Sequence, residues 1–137
     1  MGGKQYQLKF IVVLLMSTLA FIILHISVNQ FTSSPKLIFI PIGGLFITLG
    51  NYFKVIQPNY FIGIKTPWTL ENKEVWKLTH ILAGKLWIIG GLLIVLGSLT
   101  IDKSAFIYST LSTTAGITVV PAVYSYFKFK ELKINSN

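Results

Sequence analysis

Four apolar blocks, at residues 10–28, 37–53, 81–100 and 105–127, decide what this chain can fold into. A helix rises about 1.5 Å per residue, so crossing roughly 30 Å of hydrocarbon takes about 20 apolar residues. Each block approaches that length. With 53% hydrophobic and only 12% charged residues, too little polar surface remains to cover a globule in water. The expected fold is therefore all-α: one integral-membrane domain over 1–137, with four transmembrane helices. A short ordered cytoplasmic segment is expected between the second and third. The first block follows Lys4 and Lys9 as a signal peptide would, but it is longer than a normal apolar core of one. Residues 29–36 carry no small-residue cleavage motif, so it reads as a retained helix. The chain has no cysteine, which excludes disulfides, thiolate catalysis and Cys-based metal sites.

The net charge of +8 comes entirely from lysine, and its distribution argues against a nucleic-acid partner. Lys4 and Lys9 precede the first block, and Lys128, Lys130 and Lys133 follow the last. Lys54, Lys65, Lys73, Lys77 and Lys85 lie in or beside the second connection. These ten fall on one side of the membrane, against Lys36 and Lys103 on the other. By the positive-inside rule both termini and the central segment are expected in the cytoplasm. The basic excess is topological, and membrane lipid is the partner it implies.

Small residues recur every seven positions in the second and third blocks: Gly43 and Gly50, then Ala83, Gly90 and Gly97, with Gly84, Gly91 and Ser98 beside them. Seven-residue spacing holds a residue on one helix face, and small residues there let backbones approach closely. A tight hairpin of these two helices is expected, and the same faces would serve a homo-oligomer. The fourth block is rich in hydroxyls, from Ser109 to Ser125, and Pro121 is expected to kink it. Conduits for ions need ionisable groups at depth. This block has none, so helix packing is the better account. Residues 128–137 read as a short basic tail at the membrane surface.

Only residues 57–80 leave room for structure outside the lipid. Pro58 and Asn59 suit a turn, Gly63 allows a bend, and Pro67 disfavours helix at Thr66. Asn72 is a good N-cap for a helix that starts near Lys73 and runs into the third block, with Glu74 at the positive end of its dipole. On that helix Trp76 and His80 stand four apart, hence stacked on one face. The tryptophans 68, 76 and 87 have the composition of interfacial anchors. His80 is expected to hydrogen-bond the loop, through Asn59, Thr66 or Asn72, and Glu71 and Glu74 to pair with lysines at the surface. No metal-ligand spacing, catalytic triad or phosphate-cradling glycine loop is present, so neither a cofactor nor an enzyme is indicated. A small transporter or channel is the alternative, but it would need ionisable residues at mid-membrane, and His25 and Lys85 lie near block ends. A headgroup enzyme using His80 with Glu71 or Glu74 is a weaker one.

Asn51-Tyr52, then Pro58 to Leu70 (Pro-Asn-Tyr-Phe-Ile-Gly-Ile-Lys-Thr-Pro-Trp-Thr-Leu), Asn72, Val75-Trp76, Thr79-His80 and Gly84 together resemble the signature of the SdpI family of membrane immunity proteins. The resemblance covers about residues 50–97. It implies protection of the cell from a secreted, membrane-active toxin peptide and, as a second role, holding a cytoplasmic autorepressor at the membrane once the toxin is engaged. The functional motif it implies comprises Asn51, Pro58, Asn59, Phe61, Gly63, Lys65, Thr66, Pro67, Trp68, Asn72, Trp76, Thr79 and His80. Thr66, Trp68, Asn72, Trp76 and His80 are expected to hold a cytoplasmic cap together, with Lys65 facing lipid phosphate or a partner. Two departures stand out: lysine at position 65 where the family usually has arginine, so that a bidentate contact would be lost, and no counterpart of the extra N-terminal spans of larger members.

Overall fold

The computed structural model describes residues 2–29, 38–58 and 63–135, and all regular structure among them is helical. Five helices follow one another: α1 (Gly2–Asn29), α2 (Phe39–Phe53), α3 (Pro67–Glu71), α4 (Lys73–Thr100) and α5 (Lys103–Asn135). Three are long and apolar enough to cross a membrane, by way of Lys9–Val28 in α1, Lys73–Thr100 in α4 and Ser104–Ile134 in α5. The second apolar block is shorter than expected as a helix. α2 has 15 residues, or about 22 Å at 1.5 Å per residue.

α4 is the spine of the molecule, with α2 on one side and α5 on another. The two small-residue stripes explain how it serves both. A Cβ at Gly84 would stand 2.5 Å from the Gly50 carbonyl oxygen, and one at Gly50 would stand 2.7 Å from that of Gly84. Gly43 and Gly91 repeat the arrangement, at 2.7 Å and 2.6 Å. Backbone thus meets backbone at two points seven residues apart, in antiparallel register, as the glycine spacing predicts. The neighbouring stripe faces α5. A Cβ at Gly90 would meet Ile117 at 3.0 Å, and one at Gly97 would meet the Phe106 ring at 3.2 Å. Phe106 in turn sets its edge against Phe39 of α2, centroids 4.9 Å apart. Both stripes are therefore occupied within the chain.

α1 packs chiefly on α2, and none of its apolar stretch is buried inside the protein. A helix apolar on every side and uncovered by protein needs lipid around it. In α5 the hydroxyls of Ser109, Thr118 and Ser125 donate to carbonyls of their own helix, at Phe106, Thr114 and Ala122. Thr113 packs its methyl at the Gly90 position. This is the packing role expected of them. α5 runs on through the fully buried Pro121.

The C-terminal stretch departs from expectation. Residues 128–135 are not a separate tail but continue α5 to 33 residues, about 50 Å. Lysine, glutamate and leucine favour helix. Lys128 and Glu131 pair across one turn at 2.9 Å, and Lys133 lies in the last turn, where a cation meets the negative dipole end.

Candidate functional site

Between α2 and α4 the chain builds a cap, and local sequence accounts for most of its course. Thr66 is extended (φ −100°, ψ 156°), as a residue before proline prefers. Pro67 then occupies the first position of α3, where its missing N–H costs nothing. The Thr66 hydroxyl accepts from Thr69 N at 3.3 Å, and the Thr69 hydroxyl accepts from Thr66 N at 2.9 Å. This reciprocal capping box makes five residues helical. Asn72 closes α3 and opens α4, its Oδ1 accepting from Glu74 N at 2.8 Å and Val75 N at 3.2 Å. The Asn72 cap stands as the sequence implies, whereas α3 was not expected. Its signal was the Thr-Pro-x-Thr spacing.

His80 sits at the centre, 1% exposed. Its Nδ1 lies 2.8 Å from the Trp76 carbonyl oxygen and its Nε2 3.0 Å from the backbone N of Ile64. A carbonyl can only accept and a peptide N–H only donate. The ring is therefore neutral, protonated at Nδ1 and accepting at Nε2. The Trp76 indole stacks on it (centroids 4.1 Å apart, 21° between planes) and Phe53 of α2 meets it edge-on at 5.8 Å. Trp76 donates from Nε1 to the Ile56 carbonyl at 3.1 Å. Gly63 lies against both rings with φ +121°. A Cβ there would collide with His80 Nε2 and approach Trp76 to 3.1 Å. Only glycine fits this conformation and this gap.

A second set of contacts ties the cap to α5. Trp68 donates from Nε1 to the Ser125 hydroxyl, the Thr66 hydroxyl lies 3.4 Å from the same oxygen, and Trp68 sets its ring on Tyr126 at 5.3 Å. The Thr69 hydroxyl, fully buried, also reaches the Ile64 carbonyl at 2.9 Å. The loop, α2, α3, α4 and α5 therefore meet around Trp76, His80, Thr69 and Ser125. Neither Thr69 nor Ser125 was singled out from sequence, since an isolated hydroxyl carries no mark of its partner.

The loop partner of His80 is the Ile64 backbone, because Thr66 and Asn72 use their side chains as helix caps. Trp76 is not an interfacial anchor: at 1% exposure it is core. Trp68 is half-buried by α5. Trp87, against Phe46 and Phe53, has a buried Nε1 without a hydrogen-bond partner, as does the Thr79 hydroxyl. Glu71 and Glu74 make no ion pair with Lys73 or Lys77, while Lys128 pairs with Glu131. Asn51, Pro58, Lys65 and Pro67 are exposed. Asn59 and Phe61 lie outside the described residues.

The SdpI/YfhL protein family model matches residues 55–125 of this chain. The match begins just past α2 and ends on Ser125, taking in the whole cap and reaching well beyond residue 97. A relative named Immunity protein SdpI, from Bacillus subtilis (strain 168), is 34% identical over 87 residues, covering 62% of this chain and 42% of that protein. The chain thus matches less than half of the relative's length. No solved structure matches.

Proposed function

The chain belongs to the SdpI/YfhL protein family, and from that membership we infer that it is a four-span membrane immunity protein protecting its own cell from a secreted, membrane-active peptide. The observation that carries the reading is where the family match falls. It takes in the cap together with α4 and α5 as far as Ser125, and a relative 34% identical over 87 residues is named for immunity. The cap's buried centre is built from hydrogen bonds to backbone and from ring packing, an arrangement suited to holding a shape against a partner. Immunity arises either by sequestering the peptide within the bilayer or by shielding what it attacks.

Survival tests this reading. Bacteria sensitive to the sporulation-delaying peptide, expressing the chain in their membrane, should survive it at doses that kill cells carrying an empty vector. The same comparison with other membrane-active peptides defines specificity. Absence of protection against every such peptide, at verified membrane abundance, removes immunity as the function.

Both termini and the cap are cytoplasmic in this reading, with α2 as the fourth span. Ten lysines against two support the orientation, and the antiparallel seam of α2 along α4 supports α2 at the same depth as its partner. A reporter fused after Ser104 should then be accessible from outside and one after Asn137 only from inside. The reverse pattern overturns the cytoplasmic cap. The exposed edge formed by Lys65, Pro67, Glu71 and Lys73 is the surface at which a toxin-engaged protein would hold a cytoplasmic repressor.

A further inference from the structure

α2 ends at Phe53, less than one turn past Gly50, whereas α4 begins at Lys73, eleven residues ahead of Gly84. Gly50 and Gly84 are the point where the two helices touch. Beyond it α4 carries on for about 16 Å, and there the segment following α2, not α2 itself, packs against Trp76 and His80. Three lysines are exposed around this end of the α2–α4 seam. Lys77 is seven residues from Gly84 and so extends the same helix face past the end of α2. Lys54, at the C-cap of α2, lies across the face, its Cγ 3.0 Å from where a Gly84 Cβ would stand. Lys85 follows Gly84. All three are exposed, and none has a carboxylate partner among the described residues. Glu74 is the carboxylate on this stretch of α4, and it forms no ion pair with them.

What lies below the lysines separates a lipid from a soluble anion. Ile89, Leu92 and Leu96 stand four, seven and eleven residues after Lys85, so they share its helix face. Their exposures are 54%, 48% and 58%, although α2 and α5 cover other faces of the same helix. An apolar stripe thus runs into the membrane directly beneath a cluster of unpaired cations. The geometry points to a binding site for an anionic phospholipid, its phosphodiester held by Lys54, Lys77 and Lys85 and its acyl chains laid along Ile89, Leu92 and Leu96. A zwitterionic headgroup would bring its own ammonium against three lysines and is disfavoured. The site rests on α4 crossing the membrane and is independent of the immunity reading.

The test uses the full chain in detergent, titrated with phosphatidylglycerol, phosphatidylcholine and glycerophosphoglycerol, with bound species counted by native mass spectrometry. Phosphatidylglycerol should bind about tenfold or more tighter than phosphatidylcholine, and the chainless headgroup should not bind. Each lysine near a lipid surface is worth about a fivefold change in affinity. The triple variant Lys54→Gln, Lys77→Gln, Lys85→Gln should therefore bind phosphatidylglycerol roughly a hundredfold more weakly. Lys128→Gln, Lys130→Gln, Lys133→Gln, with the same charge loss elsewhere, should bind as wild type. Equal loss in both triples means general charge attraction and overturns the site. Binding of the chainless headgroup overturns the lipid as occupant. Should the first triple fail to fold, the wild type alone decides, since no preference for phosphatidylglycerol over phosphatidylcholine overturns the proposal.

Discussion

Gly84→Val is expected to separate α2 from α4 and to destabilise the protein by about 3 kcal/mol or more. The new Cβ would stand 2.5 Å from the Gly50 carbonyl oxygen, a backbone atom that no rotamer change can move aside. The helices must part, and the Gly43–Gly91 contact seven residues away parts with them. Gly116→Val supplies the control, for it also places a β-branched residue in a long apolar helix. Nothing lies within 4 Å of a Cβ at Gly116, so its cost should stay within about 0.5 kcal/mol. Thermal unfolding of the two variants in detergent, followed by circular dichroism, makes the comparison. Equal midpoints would show that the glycine seam does not hold the helices together.

The second large effect is local. His80→Ala removes the ring between Trp76 and Phe53 and leaves the Ile64 N–H, within the cap, without an acceptor. A cavity and an orphaned donor together cost about 3 kcal/mol. The loss falls on the loop and α3 while the α2–α4 seam is untouched, so the cap should open without global unfolding. Hydrogen exchange at the Ile64 amide reads this directly. His80→Gln, which can place an oxygen acceptor near the position of Nε2, should retain part of the protection. His80→Lys, which has only donors, should do no better than alanine. Lysine equal to wild type would show that Nε2 does not accept from Ile64. On the immunity reading, survival against the peptide should follow the same order, wild type above glutamine above alanine.

These two sites differ in how far the sequence disclosed them. The α2–α4 seam was legible because close helix approach demands glycine and a straight register demands a seven-residue period, so Gly43, Gly50, Gly84 and Gly91 carry both facts. Asn72 was legible for a similar reason: an asparagine ahead of a long helical run has one common use. The cap's centre was only half visible. Trp76 and His80 share a face by spacing alone, but the acceptor site of His80 is met by a peptide N–H, which every residue except proline offers. Ser125 stands 57 residues from Trp68, and no local pattern encodes that meeting. Trp76 belongs to the cap as its motif implies, but its composition also suits an interfacial anchor, because composition cannot tell a ring buried by its own cap from a ring at the headgroups. α3 is hidden in the sequence because Pro67 disfavours helix at Thr66 and at the same time suits the first position of a new one.

α4 turns about 100° with each residue, and its two small-residue stripes, Gly84–Gly91 toward α2 and Gly90–Gly97 toward α5, are one residue out of step. The helix therefore has no slack in phase. Inserting a single apolar residue between Gly91 and Gly97 would change neither its hydropathy nor its helix propensity. It would nonetheless bring Leu96 round to the place where Gly97 meets Phe106. Leu96 is 58% exposed in the native arrangement, and no room exists for it there. The number of residues between Trp76 and Gly97 is thus itself a structural determinant, as binding as the identity of any one of them.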